Sequence, residues 1–488
     1  MKQTIYTTVS ALALFAAAPA LAQNNNSAVT QTGTNATATV SQNGSDSESD
    51  ITQGGNGNDA TVNQDGSQAG GKSTIDQTGD DNTASVTQAD DGSDLASVAP
   101  PINTSTITQG GSRNTATVNQ NTGTLSLPTQ SSVNQSGNDN SATVTQVDDS
   151  QSSYVDQSSS NNMATVSQGD AALVAGDSSY GNYSSVNQGG SLGNNYANVD
   201  QNGLGGLSDV VQTGGNNDAD VVQNGGSNAS GITQSGDLNL ADVDQTGDSN
   251  STIDQSGSSN TALVGQNGNG NDSWVTQTAG SGYADVNQNG SGNSSYVTQS
   301  SGLGSYTGPF PSNTAYASID QIGSSHLSTV SQSGAGNWAV LVQQANNNES
   351  HIDQTGNGTY ANVSQTGSDN ISSVTQSGVA NNLNTAVGIR QSGDRNESTV
   401  NQSGIGTVLN SVENTVDVEQ SGSDNDSIVN QGGIDNQTRI VQSGSNNLSD
   451  VLQNGNNNNA FVTQGSNYNV STVNQSGSGN TATVTQGL

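Results

Sequence analysis

The chain of 488 residues contains no cysteine and only six Lys and Arg. Without cysteine there is no disulfide framework to staple a small secreted fold, and a long repeat stack needs none. Six basic residues against 41 acidic ones leave a formal net charge of −35. That balance excludes nucleic acid as a partner, because phosphate neutralisation requires Lys and Arg, and it disfavours an anionic membrane surface. Hydrophobic residues supply 28% of the chain, which is too little for an ordinary globular core and borders on the disordered class. Histidine is limited to His326 and His351. Sequence signals for a nucleophile, a metal site or a phosphate-binding loop are missing, so neither enzymatic activity nor a cofactor is expected. The first apolar run, Val9 to Ala18, is too short to span a bilayer. It follows Lys2 and precedes Ala20-Leu21-Ala22, an A-x-A cleavage site. Residues 1–22 therefore read as a secretory signal peptide cut after Ala22, and 23–28 as a short Asn-rich N-terminal segment. No later run approaches membrane length, so no membrane insertion is expected.

What the chain does have is repetition. A Val or Ile followed two residues later by Gln occurs at 38 positions from Val29 to Val484, counting Leu341 once. Of the 37 intervals, 28 are 11 residues long. Internal repetition at this level decides architecture before other signals are weighed. An 11-residue period also suits a right-handed helical supercoil, but the local pattern rejects it. In Asn58-Asp59-Ala60-Thr61-Val62-Asn63-Gln64 the small or apolar positions alternate with polar ones, a period of two. Thr, Val and Ile favour strands. Turn chemistry follows each Gln, as in Thr78-Gly79-Asp80-Asp81 and Ser136-Gly137-Asn138-Asp139.

The expected fold is all-β: a β-solenoid (cross-β) of about 19 coils, 22 residues per coil as two 11-residue strand-turn units. Two parallel sheets face each other across a thin core. Val, Ile and Ala supply its dry part, and stacked Gln and Asn rows bond along the axis, which satisfies amides that would be costly to bury singly. The residues expected in these ladders are Gln53, Asn58, Ala60, Val62 and Gln64; Gln77, Asn82, Ala84, Val86 and Gln88; Gln135, Asn140, Ala142, Val144 and Gln146; and Gln475, Asn480, Ala482, Val484 and Gln486. Gly55, Gly79, Gly137 and Gly477 are expected at the turns. Proline, which cannot donate to a ladder, should avoid the strands. All five prolines after the leader (Pro100, Pro101, Pro128, Pro309, Pro311) fall in stretched intervals. Residues 29–488 thus read as one repeat array with loop insertions near 89–104, 121–130, 169–183, 300–314 and 403–415.

The string Gln-x-Gly-x-x-Asn-x-Ala-x-x-x-Gln is complete ten times, beginning at Gln53, Gln77, Gln109, Gln135, Gln212, Gln234, Gln255, Gln332, Gln453 and Gln475. It resembles the curlin repeat, the unit of curli amyloid fimbriae on bacterial surfaces. The resemblance implies a secreted subunit that passes an outer-membrane secretion pore unfolded, meets a nucleator, and polymerises as a β-solenoid amyloid in biofilm matrix. It implies no cofactor. It also implies the cell surface or extracellular space as the location, and host or abiotic surfaces as adhesion targets. Familiar curlins carry about five repeats; this chain carries far more. The leading Ser that those repeats place four residues before the Ile or Val is variable here.

A solenoid that acts alone must blunt its end coils, since an open strand edge recruits further strands. No helix, proline or basic cluster flanks the array, so the expectation is head-to-tail self-assembly through open ends, a heterologous contact that does not close. Acidic residues such as Asp80, Asp81, Asp139, Asp148 and Asp149 fall at corners or inserts, where they keep the surface soluble or slow premature association. Tyr154, Tyr196, Trp274, Tyr283, Tyr296, Tyr316, Trp338 and Tyr360 fall on the outer face. The alternative reading is a monomeric secreted solenoid that binds ice or a surface ligand. Thr143 with Thr145, and Thr483 with Thr485, favour it. Asn198, Asp200, Asp242 and Asp244 interrupt that pattern. Gly54-Gly55-Asn56-Gly57-Asn58-Asp59 resembles one calcium-binding nonapeptide, a site that needs consecutive copies.

Overall fold

The computed structural model describes residues 24–66, 71–90, 103–122, 128–148, 150–169, 181–278, 280–300, 315–377, 385–404 and 414–487. The expected signal peptide lies outside the described residues. So does half or more of each expected insertion; the margins that are described continue flanking strands, as in Thr83–Asp90, Thr115–Thr122 and Glu397–Ser403.

All regular structure among these residues is β, in 38 strands. Odd-numbered strands, starting with Asn26–Gln31, form one 19-stranded sheet, and even-numbered strands, starting with Thr37–Asn43, form a second. The chain therefore alternates between two sheets and completes one coil every two strands. Strands within a sheet are parallel and usually 22 residues apart: Val29 pairs with Ile51, and Val40 with Val62. Nineteen coils at about 4.8 Å each make a rod of about 90 Å. Among the described residues both sheets are open: Asn26–Gln31 pairs only with Glu48–Gln53, and Thr481–Gln486 only with Asn459–Gln464.

The period-two pattern places one side chain of each pair in the core. Asn58, Ala60, Val62 and Gln64 are all buried, and Asp59 and Asn63 between them are exposed. The apolar core is one continuous column of Val, Ile and Ala from Ile51 to Val473. Such narrow burial suffices because every strand except the four at the two ends is sandwiched by two others along the axis, so each coil shields the next.

The long intervals do not shift the alternation. Val297 and Ile319 lie 22 residues apart, room for a hidden strand, yet Ser294–Gln299 and Tyr316–Ser324 belong to opposite sheets as successive strands must. The insertions also divide by position. Those from 67 to 180 all leave the second sheet and return to the first; those at 301–314, 378–384 and 405–413 leave the first and return to the second.

Candidate functional site

The inward Gln residues form two unbroken side-chain ladders. In the first sheet Gln31 Nε2 donates to Gln53 Oε1 at 2.7 Å, Gln53 to Gln77 at 2.8 Å, and Gln77 to Gln109 at 2.8 Å. The series continues through Gln135 and Gln157 to Gln453, which donates to Gln475 at 2.8 Å. In the second sheet Gln42 donates to Gln64 at 2.9 Å, Gln64 to Gln88 at 2.8 Å, Gln120 to Gln146 at 3.0 Å, and at the far end Gln464 to Gln486 at 2.9 Å. The second amide proton crosses the core to the opposite sheet's backbone, as from Gln53 to the Thr37 carbonyl at 2.9 Å. A buried primary amide thus has both donors and its acceptor engaged, which removes the desolvation penalty that a lone buried Gln would carry.

Every ladder bond runs the same way, from the Nε2 of one coil to the Oε1 of the coil that follows. The two rod ends are therefore chemically different. At the N-terminal edge no described group donates to the Oε1 of Gln31 or Gln42. At the C-terminal edge Gln475 and Gln486 keep their bonds to the backbone carbonyls of Asn459 (2.9 Å) and Val470 (3.0 Å), and each has an N–H left over.

The corner Asn residues form a second kind of ladder, in which Oδ1 accepts the backbone N–H of the next coil. Asn58 accepts from Asn82, Asn82 from Asn114 and Asn114 from Asn140, each at 2.9 Å. Their Nδ2 groups hold the corner carbonyls, as from Asn82 to Gly111 at 2.7 Å. On the opposite edge the equivalent column runs from Asn271 through Asn293, His326, Asn348 and Asn370 to Asn469. His326 is a working substitute for Asn: its Nδ1 accepts the Asn348 N–H at 3.2 Å, and its Nε2 lies 3.3 Å from the Ile322 carbonyl. Burial holds its pKa below the usual value and keeps the ring neutral. His351 projects from the outer face.

Gly55, Gly79 and Gly137 stand in the corners for reasons of space. A Cβ on Gly79 would collide with the Gly111 carbonyl oxygen in the next coil. The left-handed residue comes two positions later, at Gly57, Asp81, Asp139 and Gly479; Gly477 is left-handed as well.

Sequence reasoning missed one column. Two residues before each Val or Ile, the second sheet carries Ala in 16 of 19 coils, and the first sheet carries Ser in all 19, from Ser27 to Ser471. Eleven of these hydroxyls in consecutive strands, from Ser49 to Ser295, are buried without a hydrogen-bond partner. Further along, Ser372 Oγ donates to Ser350 Oγ at 2.8 Å and Ser427 to Ser398 at 3.0 Å. The signal was present as Ser-x-(Val/Ile)-x-Gln in every second unit, hidden by the general abundance of Ser.

The outer faces carry the charge. Each described basic residue pairs with an acid on a neighbouring coil: Lys72 with Glu48 (3.2 Å), Arg113 with Asp139 (2.6 Å), Arg395 with Asp424 (2.7 Å), and Arg390 and Arg439 with Asp417 (3.7 and 3.5 Å). The guanidinium of Arg113 holds the Asp139 carboxyl below its usual range, and Arg395 does the same to Asp424. Elsewhere carboxylates stack on each other. Asp220 lies in register with Asp242, and loss of solvent followed by neighbouring carboxylates raises the pKa of Asp218 and Asp242. Among the described residues no group of three or more His, Asp or Glu is arranged to hold a metal ion. Outward aromatics also stack in register: Trp274 on Tyr296 at 4.7 Å, Tyr283 on Tyr316 at 5.1 Å, and Tyr316 on Trp338 at 4.2 Å.

At both edges the packing is incomplete. The inward Val29 is 46% exposed at one edge, Ala482 and Val484 are only partly buried at the other, and among the described residues nothing covers either end strand. Comparison with known families gives one match. The curlin associated repeat matches residues 33–66, 137–169, 214–247, 231–253, 247–278, 329–356 and 433–465. No curated protein matches the chain significantly.

Proposed function

Because this chain is a member of the curlin repeat family, we propose that it is a secreted structural subunit that assembles head to tail into extracellular amyloid fibres, in the manner of curli fimbriae, for biofilm matrix and surface adhesion. The family and the solenoid fold favour a structural role over an enzymatic one. Residues 1–22 serve as the export signal, and a secretion pore and a nucleator are the implied partners.

One observation carries this reading: two polar Gln ladders run the length of the rod and end in complementary, unused groups. Docking the C-terminal edge of one chain on the N-terminal edge of another lets Gln475 and Gln486 donate to Gln31 and Gln42. It also lets Asn469 and Asn480 accept from the backbone of Asn25 and Ala36. Head-to-head docking would set carbonyl against carbonyl. The join pairs four strand edges into two continuous sheets and covers Val29 and Val484, burial that favours association. Because the contact is heterologous, it propagates as a filament. The acidic outer faces oppose lateral clumping.

The test is to dilute residues 23–488 from denaturant and follow thioflavin fluorescence, then fibre diffraction. Seed-accelerated growth of fibres with reflections at about 4.7 and 10 Å is the expected result. A stable monomeric rod indifferent to seeds would overturn the proposal. It would favour the ice-binding alternative, for which one structural feature speaks: Thr39, Thr61, Ser85, Thr117, Thr143 and Thr165 stack in register on the outer face of the first six coils. Ice recrystallisation inhibition by the soluble monomer tests that second reading.

A further inference from the structure

The Gln, Val and Asn patterns leave one ambiguity. Each of the 38 strands carries Val, Ile or Leu with Gln two residues on, so these ladders cannot distinguish a strand of the first sheet from one of the second. A subunit joined half a coil out of phase, with Thr37–Asn43 laid on Val470–Ser478 and Asn26–Gln31 peeled away, would still extend the Gln and Val ladders. Asn26–Gln31 is the least buried strand of the rod, so its own contacts do little to prevent this.

The small inward residue does distinguish the sheets. It is Ser in all 19 strands of the first sheet and in none of the second, where Ala dominates and Val387, Val416 and Thr438 fill the other places. Ser and Ala have nearly the same volume, so packing alone does not require Ser. A buried hydroxyl without a partner is costly, and eleven of these are without one inside the rod. Each has the same hydroxyl one coil above and below it, and Ser328 uses a backbone carbonyl, that of Ser294 at 3.5 Å. Ser372 with Ser350, Ser427 with Ser398 and Ser471 with Ser449 (3.3 Å) show that such coil-to-coil bonds form. A Ser column therefore keeps a hydroxyl partner within reach on both sides. A Ser stacked on Ala loses the hydroxyl on that side.

We propose that the Ser/Ala alternation is a phase code for self-association: a second copy of this chain docks by whole coils, Ser27 onto Ser471 and Ala38 onto Ala482, and half-coil joins are rejected. The inference rests on the head-to-tail reading above and names the partner strand at each edge. The same code acts within the chain, where intervals of 21, 20, 22 and 18 residues (Val86 to Ile107, Val166 to Val186, Val297 to Ile319, Val400 to Val418) never exchange Ser for Ala.

Because the chain has no cysteine, cross-linking tests this directly. Ala28 and Thr472 occupy equivalent outward positions in the first sheet, and stacked strands bring paired Cα atoms within disulfide range. In the full chain, Ala28→Cys with Thr472→Cys reports the in-phase join. Thr39→Cys with Thr472→Cys reports the half-coil join. Each pair sits at opposite ends of one rod, so only intermolecular bonds form. On oxidation of seeded fibres, the in-phase pair should give about tenfold more covalent multimer than the half-coil pair. Replacing Ser27, Ser49, Ser449 and Ser471 by Ala should erase most of that difference. Equal yields from the two pairs would overturn the phase code. A difference that survives the Ser→Ala changes would overturn the role of Ser. If the unmodified chain forms no fibres, the assembly reading fails, a result separate from either.

Discussion

His326 Nδ1 accepts the backbone N–H of Asn348 at 3.2 Å, so a neutral imidazole stands in a column otherwise made of amides. Asn presents an acceptor in every protonation state; His presents one only while neutral. Burial lowers the pKa of His326 from 6.5, so below that pH the unfolded chain takes up a proton before the rod does. Stability is full above the unfolded value, falls as pH drops from 6.5 toward the lowered folded value, and levels off below it. His326→Asn should remove this acid sensitivity while leaving stability at pH 8 nearly unchanged. Denaturant midpoints of both forms across that range check it.

The aspartate stacks work in the opposite direction. Asp242 has its pKa raised by loss of solvent, then by Asp220, Asp244 and Asp218. The folded rod therefore binds this proton more tightly than the unfolded chain. The penalty is fully present above the raised value and is relieved as pH falls through it. Asp242→Asn should raise the thermal midpoint at pH 7, with the difference from the parent vanishing in acid. An unchanged midpoint at pH 7 would show that the stack is fully screened.

Breaking a Gln ladder in the middle differs from breaking it at an edge. Gln157→Leu leaves the Gln135 donor and the Gln188 acceptor without partners, each costing about 1–3 kcal/mol. It should lower the denaturant midpoint of the monomer. Gln486→Leu removes the bonds to Gln464 and to the Val470 carbonyl and one of the two free donors of the C-terminal edge. It should slow seeded elongation severalfold with little change in monomer stability. Thioflavin growth rates beside unfolding curves separate the two effects.

Gly79→Ala places a methyl group against the Gly111 carbonyl oxygen. Overpacking of this kind costs about 1–3 kcal/mol. Arg113→Ala, in the corner of the next coil, removes an exposed ion pair with Asp139 and should lower the midpoint far less, because solvent screens the pair. Comparing the two thermal midpoints tests whether coil spacing or surface charge governs the corner.

The strands and their faces were legible because Val and Gln recur at a fixed offset and alternate with polar residues. Val62 and Gln64 announce themselves. The direction of the Gln bonds was not legible, since an amide's orientation depends on neighbours that sequence does not place beside it. Asp81 illustrates a subtler limit: composition marks its corner as a turn, but only the backbone shows that the left-handed turn falls there and not on Gly79. Ser49 and Ser73 stand in plain view in the sequence but do not announce themselves as core, because Ser is common in turns and seldom buried.

Unequal joints follow from the length of the array. Within one chain, successive coils are tied covalently at one corner, so tension along the axis must tear strands from their neighbours while the backbone still connects them. Between chains only edge contacts bear the load. A filament of these subunits has one such joint in about 90 Å, with nineteen tethered coils between joints. Under stretch it should part at regular intervals, giving fragments whose lengths are whole multiples of the rod, each with fresh ends able to grow again.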